Sequence, residues 1–314
     1  MERYASKPIV GTPPVAMTPE SPSKYAAPLF DFPWRGQDMR IADDLQIGGV
    51  DKEAIFTQYR QSLSEVDQQY CRQEDHWLIL DHDPNAELKP SEVMNLFLIS
   101  LWICKPTRTF LAYRFRTQPW GDVVRLLDRF QWVNVPQDME ITGAELQRAA
   151  QFLRLLREAV VSSPRMKAAL LLTLQGCMAK QWQVAFVCLA SATEALLVYS
   201  DARNRLVERL ALAFAALVAD STQEMAELRG RFEALYRVRS KIVHEGAYRR
   251  DDTAQNLIDL AEFEGLLRRL LGKILTDQEI RDVIKGNNAA RQRLLKVRGG
   301  LLEEAATCCM SSVR

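Results

Sequence analysis

Val184-Ala185-Phe186-Val187-Cys188-Leu189-Ala190-Ser191-Ala192-Thr193-Glu194-Ala195-Leu196-Leu197-Val198-Tyr199 is apolar on nearly every side of a helix, with Ser191, Thr193 and Glu194 the polar positions. A helix that is hydrophobic all round needs neighbours on all sides, so this stretch belongs at the centre of a helical bundle. The surrounding sequence agrees. No proline follows Pro164, and Leu, Ala, Arg and Glu, all strong helix formers, dominate the rest of the chain. Ala144 to Val161 places Leu146, Ala149, Ala150, Leu153, Leu156 and Val160 at helical spacing. Met166 to Tyr199 reads as two helices or one long bent one, and further helices are expected at about 203–219, 222–245, 253–275 and 277–298.

Before this half the pattern is mixed. Residues 1–36 hold seven of the thirteen prolines with Ser, Thr and Gly and no apolar period, which predicts an extended or disordered leader. From 37 to 140 the expected elements are a helix over Asp51–Cys71, a strand at Trp77–Leu80 and a helix opening at Lys89-Pro90-Ser91-Glu92. A strand at Thr109–Phe115 and a short helix at Asp122–Phe130 complete them. The fold class is therefore mainly α. A helical domain over 141–298 follows a mostly helical or α+β region over 37–140, and 299–314 forms a flexible tail containing Cys308 and Cys309.

With 314 residues, 41 Lys plus Arg against 40 Asp plus Glu, and 47% hydrophobic residues, the chain has the composition of a globular protein with a sizeable core. A formal charge of +1 excludes retention on nucleic acid by bulk positive charge and leaves room for a local basic site. The six cysteines include no Cys-x-x-Cys pair and read as free thiols in a reducing compartment. The start lacks a secretory pattern, and the apolar runs Leu96–Cys104 and Ala168–Ala179 are shorter than the ~20 residues that cross a bilayer. A cytoplasmic protein without membrane attachment is expected.

Chemistry concentrates in Leu235-Tyr236-Arg237-Val238-Arg239-Ser240-Lys241-Ile242-Val243-His244-Glu245-Gly246. At about 100° per residue, Tyr236, Ser240 and His244 form one stripe with Arg237 and Lys241 beside it, while Arg239 lies about 140° from His244. Histidine, with an unperturbed pKa of ~6.5, suits proton transfer in either direction. Arginine offers a permanently charged fork for phosphate oxygens. Together they suit RNA cleavage by the ribose 2′-OH without a metal, and two such helices meeting face to face would relax the 140° separation. The plainer reading is a helix terminus whose basic residues complement the macrodipole. Glu194 has its own plain reading, a structural ion pair.

This segment resembles the HEPN superfamily, specifically its Apea-like branch. The likeness rests on Tyr236-x-x-Arg239-Ser240-x-x-Val243-His244-x-Gly246, which fits the family's Arg-x4-6-His motif with a polar residue after the arginine. Leu189–Leu197 resembles the family's apolar helix with an embedded glutamate, and Arg205–Ala219 its amphipathic linker helix, so the match covers about 145–285. The resemblance implies an all-helical bundle that dimerises, acting as a metal-independent endoribonuclease in antiviral defence or as a toxin, with no cofactor. It implies His244 as general acid or base, Arg239 as phosphate clamp, Ser240 as an orienting group and Glu194 as partner to an arginine. Arg237, Lys241 and Tyr236 would contact RNA. The alternative is an inactive module of the same shape that binds RNA, a nucleotide or a protein partner. In the nuclease reading residues 37–140 would sense a trigger, a regulatory protein or a small molecule, or restrain the nuclease. Family toxins silenced by nucleotidyl transfer carry a tyrosine two residues after the histidine; Gly246 stands there, and the nearest tyrosine is Tyr248.

The other clusters read as structural. His76, Asp81, His82 and Asp83 precede an Asp-Pro-Asn turn and match no metal spacing. Trp102, Trp120, Trp132 and Trp182 are not interleaved with a basic run and read as core.

Overall fold

The computed structural model describes residues 22–128, 140–198, 205–245, 253–286 and 289–294. Its first part is a six-stranded sheet with neighbouring strands antiparallel, in the order β2-β3-β4-β1-β5-β6. The strands are β1 (Ser23–Phe30), β2 (Met39–Ala42), β3 (Leu45–Gly48), β4 (Trp77–His82), β5 (Phe110–Gln118) and β6 (Trp120–Asp128). On one face lie α1 (Lys52–Gln58) and α2 (Glu65–Arg72), packing Phe56, Tyr59 and Cys71 against Phe30, Trp77 and Phe115. Side chains alternate across a strand, so Ala27, Leu29, Leu78, Leu80 and Leu111 point to the other face and join the bundle core.

The bundle consists of α4 (Gly143–Ser162), α5 (Pro164–Met178), α6 (Trp182–Leu197), α7 (Leu206–Val218), α8 (Thr222–Glu245), α9 (Thr253–Thr276) and α10 (Gln278–Lys285), with a further helical turn at 289–294. The mainly α reading holds, with an antiparallel sheet added. Helix α3 (Pro90–Cys104) joins the two parts: it is buried on nearly all sides and packs against β4, α4, α5 and α9. Its Trp102 indole N–H donates to the Glu264 carboxylate of α9, a hydrogen bond inside the core. One continuous set of buried residues therefore runs from Leu29 through Trp102 to Ile284, and the boundary expected at 140/141 does not divide it.

Local signals explain the element ends. Pro90 opens α3, where its missing N–H is not needed, and the Glu92 carboxylate accepts from the Lys89 N–H at 2.9 Å. Thr142 and Glu145 form a reciprocal capping box on α4. Helix α6 sits among α5, α7, α8 and α9 as its apolar surface requires. At Gly176 of α5 a Cβ would fall 2.8 Å from Leu189 Cδ2, so glycine is what allows α5 and α6 to approach.

Three expectations are corrected. The leader assigned to 1–36 fails over Ser23–Phe30, which forms an inner strand between β4 and β5. Pro28 is tolerated there because the β1–β5 register shifts between Ala26 and Leu29, at the irregularity where a donor is not called on. The helix expected at Asp122–Phe130 is strand β6 over Trp120–Asp128; the β-branched pair Val123 and Val124 lies opposite Phe115 and Arg114 of β5. The single helix expected over Asp51–Cys71 is two, because the Ser64 side chain caps a new start by accepting from the Asp67 N–H at 3.1 Å. Among the described residues no helix is long and apolar enough to cross a membrane.

Glu74, in the turn leading to β4, is half-buried, and burial first, then the neighbouring Asp31 and Asp75, push its carboxyl up to about 7. A carboxyl raised on folding favours the native state while protonated, and that stability is lost as pH rises from the unfolded value towards the folded one. Glu74→Gln should therefore match the wild type near pH 4 and exceed it above pH 7 by about 1 kcal/mol, a figure discounted for solvent screening. Urea unfolding at the two pH values checks this; an advantage that is the same at both would contradict it.

Candidate functional site

Helix α8 runs antiparallel to α9, and ion pairs stitch the two together. Lys273 meets Asp220 at 2.8 Å just before α8, Arg269 meets Glu224 at 2.7 Å, and Arg231 clasps Glu262 with two nitrogens. The inward side of α8 carries Leu228, Phe232, Leu235, Tyr236 and Val238, all buried. Phe232 stacks on Phe214 of α7, with ring centroids 4.8 Å apart. This packing fixes the rotation of α8 and so the direction of every polar side chain in its last three turns.

Tyr236, Arg239 and Glu194 come together. Arg239 Nη2 lies 3.2 Å from Glu194 Oε1, and the Tyr236 hydroxyl donates to the same carboxylate oxygen. The Arg239 guanidinium also sits 5.7 Å from the centre of the Tyr236 ring, within cation–π range. Glu194 and Arg239 are each less than one quarter exposed, so the pair is partly desolvated. Burial, followed by the hydrogen bond to Glu194, raises the Tyr236 phenol above its ordinary range and keeps it a neutral donor. Arg239 Nε is buried without a hydrogen-bond partner.

The remaining residues face outward. Arg237 is exposed and reaches Glu233 one turn back at 3.7 Å. Ser240 is half-buried, whereas Lys241 and His244 are exposed, and His244 lies in the last turn of α8. His244 makes no hydrogen bond or ion pair with the described residues. Within one chain Arg239 turns into the bundle and His244 out to solvent, as the 140° separation requires. Of the residues singled out in the sequence, Glu194 and Arg239 meet and His244 stands apart from them. Tyr236 is expected on the substrate side, whereas its ring is buried and its hydroxyl belongs to Glu194. Gly246 and Tyr248 lie outside the described residues.

Val243, beside His244, is 47% exposed, and Leu257 and Ile258 of α9 add apolar surface near the same end of the bundle. A separate groove of about 140 Å³ between α3, α4 and α5 is lined by Leu96, Ile99, Leu170 and Leu174, with the Glu92–Lys167 ion pair beside it at 2.9 Å. It borders none of the α8 residues. Among the described residues no group of His, Cys, Asp and Glu is placed to hold a metal ion. Comparison of the chain with family models, with curated proteins and with solved structures finds no match.

Glu194→Ala strands the Arg239 guanidinium and the Tyr236 hydroxyl together and should cost about 2–3 kcal/mol in chemical unfolding. Tyr236→Phe should cost about 1 kcal/mol. In a double-mutant cycle Glu194→Ala and Arg239→Ala should couple by at least about 1 kcal/mol; simple additivity would show that the pair contributes nothing.

Proposed function

We propose that the protein is a metal-independent endoribonuclease of the HEPN type, acting as a homodimer. The observation that carries this reading is the end of α8: a guanidinium held by a carboxylate from the central helix, and one turn further on a solvent-open imidazole. Side by side, two copies of α8 would offer the imidazole of one chain and the guanidinium of the other to the same phosphodiester. The exposed Val243, Leu257 and Ile258 give such a pairing apolar surface to bury.

His244 would take the proton from the ribose 2′-OH or return one to the departing 5′-oxygen, and Arg239 would stabilise the charge spread over the phosphoryl oxygens. The oxygen–phosphorus bond to the 2′-position forms as the bond to the 5′-oxygen breaks, leaving a 2′,3′-cyclic phosphate and a 5′-hydroxyl. Glu194 and Tyr236 hold the guanidinium from behind, and Ser240, Arg237 and Lys241 border the path of the RNA. A role in antiviral defence or as a toxin, with the sheet region taking a regulatory signal, is part of the same proposal.

A second reading has its own support. Arg239 is committed inward to Glu194, an arrangement that also serves a bundle with no catalytic duty, binding RNA, a nucleotide or a protein partner through Arg237 and Lys241. Purified protein incubated with RNA in chelator separates the two. The nuclease should leave 2′,3′-cyclic phosphate ends, and His244→Ala should slow cleavage at least about 100-fold. Equal activity in wild type and His244→Ala would overturn the proposal, and tight RNA binding without scission would favour the module.

A further inference from the structure

We propose a phosphate-monoester site on the bundle-side face of the sheet, built from Arg114 and Arg116 of β5 with Ser23, Tyr25 and His82. Alternation puts these side chains on one face: Ala26, Ile79, Tyr113 and Phe115 point into the α1/α2 core, and their strand neighbours point away from it. Arg114 lies 5.5 Å from the centre of the Tyr25 ring, and the His82 ring meets Tyr25 edge-on at 6.1 Å. Arg116 Nη2 donates to the Ser23 hydroxyl at 2.9 Å, while its Nε is buried without a partner. Gly121 of β6 is packed on the Arg116 stem: a Cβ there would fall 2.8 Å from Arg116 Cδ. The side chain is thus held in place by the strand beside it.

The charge balance points to an anion. Neither Arg114 nor Arg116 pairs with a carboxylate among the described residues, although both are half-buried. Burying a guanidinium without a counter-charge is costly, and Arg114 shows that cost as a proton affinity lowered by desolvation. Three acids near this end are engaged elsewhere, and Asp122 of β6, next to Gly121, acts on the Tyr59 hydroxyl. Asp44, which faces His82, accepts two bonds from Arg157 at 2.8 and 3.0 Å; Asp83 accepts from the Asn85 N–H at 2.9 Å; Asp81 points to the opposite face and meets Lys24 at 3.4 Å. Two forks spaced i and i+2 along a strand, about 7 Å apart at the backbone, match the oxygens of one phosphate between them. The Ser23 hydroxyl and the imidazole add neutral donors. This site is independent of the α8 chemistry.

Calorimetric titration of the full chain at constant ionic strength tests it, with inorganic phosphate, adenosine monophosphate, and a tetraribonucleotide bearing either a 5′-phosphate or a 5′-hydroxyl. Saturable binding is expected for phosphate-bearing ligands. Arg114→Gln and Arg116→Gln should each weaken it about tenfold or more, and His244→Ala should leave it unchanged. Tighter binding of the mononucleotide would identify a free nucleotide as the source; tighter binding of the 5′-phosphorylated oligonucleotide would identify an RNA end. In the wild type, phosphate should also shift the NMR signals of the arginine Nε–H groups, a readout that needs no variant. No saturation by phosphate or the mononucleotide beyond a chloride control, or full affinity for them in both arginine variants, would each overturn the site.

Discussion

A carboxylate set into an apolar bundle must find a partner, because an unpaired charge away from water costs several kcal/mol. Two glutamates impose that constraint here. Glu264 of α9 takes the indole N–H of Trp102 and so ties the bundle to α3, the helix that carries the sheet. Glu194 of α6 takes both the Tyr236 hydroxyl and the Arg239 guanidinium and so holds α8 in the rotation that its apolar side fixes. Hydrophobic burial supplies the bulk of the stability in such a core, but it is non-directional. The apolar faces set which side of each helix turns inward, and these polar contacts pin α3, α6, α8 and α9 in that arrangement.

That arrangement has a chemical consequence. Once Tyr236 and Arg239 are turned towards α6, the geometry of a helix sends His244 to solvent at the end of the same element. The two groups that RNA cleavage would use are thus both well placed, one rigidly and one openly, but not on the same side of one chain. On the proposed function, a second chain would complete the site, and activity would depend on assembly.

How much of this was legible in the sequence differs between the halves. The bundle was, because a 3.6-residue apolar period without proline has few other solutions, and the helices at 143–162 and 222–245 follow it closely. Glu194 stood out as a lone acid on an apolar helix, which read plainly as half of an ion pair, and the HEPN resemblance implied an arginine as its partner. The sheet was harder. Pro28 masked β1, since proline counts against a strand unless the register shift that accommodates it is known, and that shift is a property of the neighbouring strand. Val123 and Val124 lost to the helical look of Asp122–Phe130 for a similar reason, as strand pairing is non-local. Arg114 and Arg116 carried a readable signal, alternate arginines between apolar residues, but that neither pairs with a carboxylate among the described residues emerges only with the tertiary structure.

The central claim is that one chain's His244 and another's Arg239 act on the same bond, and complementation between inactive variants measures it most directly. Arg239→Ala and His244→Ala proteins would be unfolded together, refolded as mixed dimers and assayed for RNA cleavage in chelator. A composite site predicts activity in the mixture where each variant alone has none, because one of the two clefts in a mixed dimer regains both groups. Confirmed mixed dimers that remain as inactive as their parents, beside an active wild type, would contradict it.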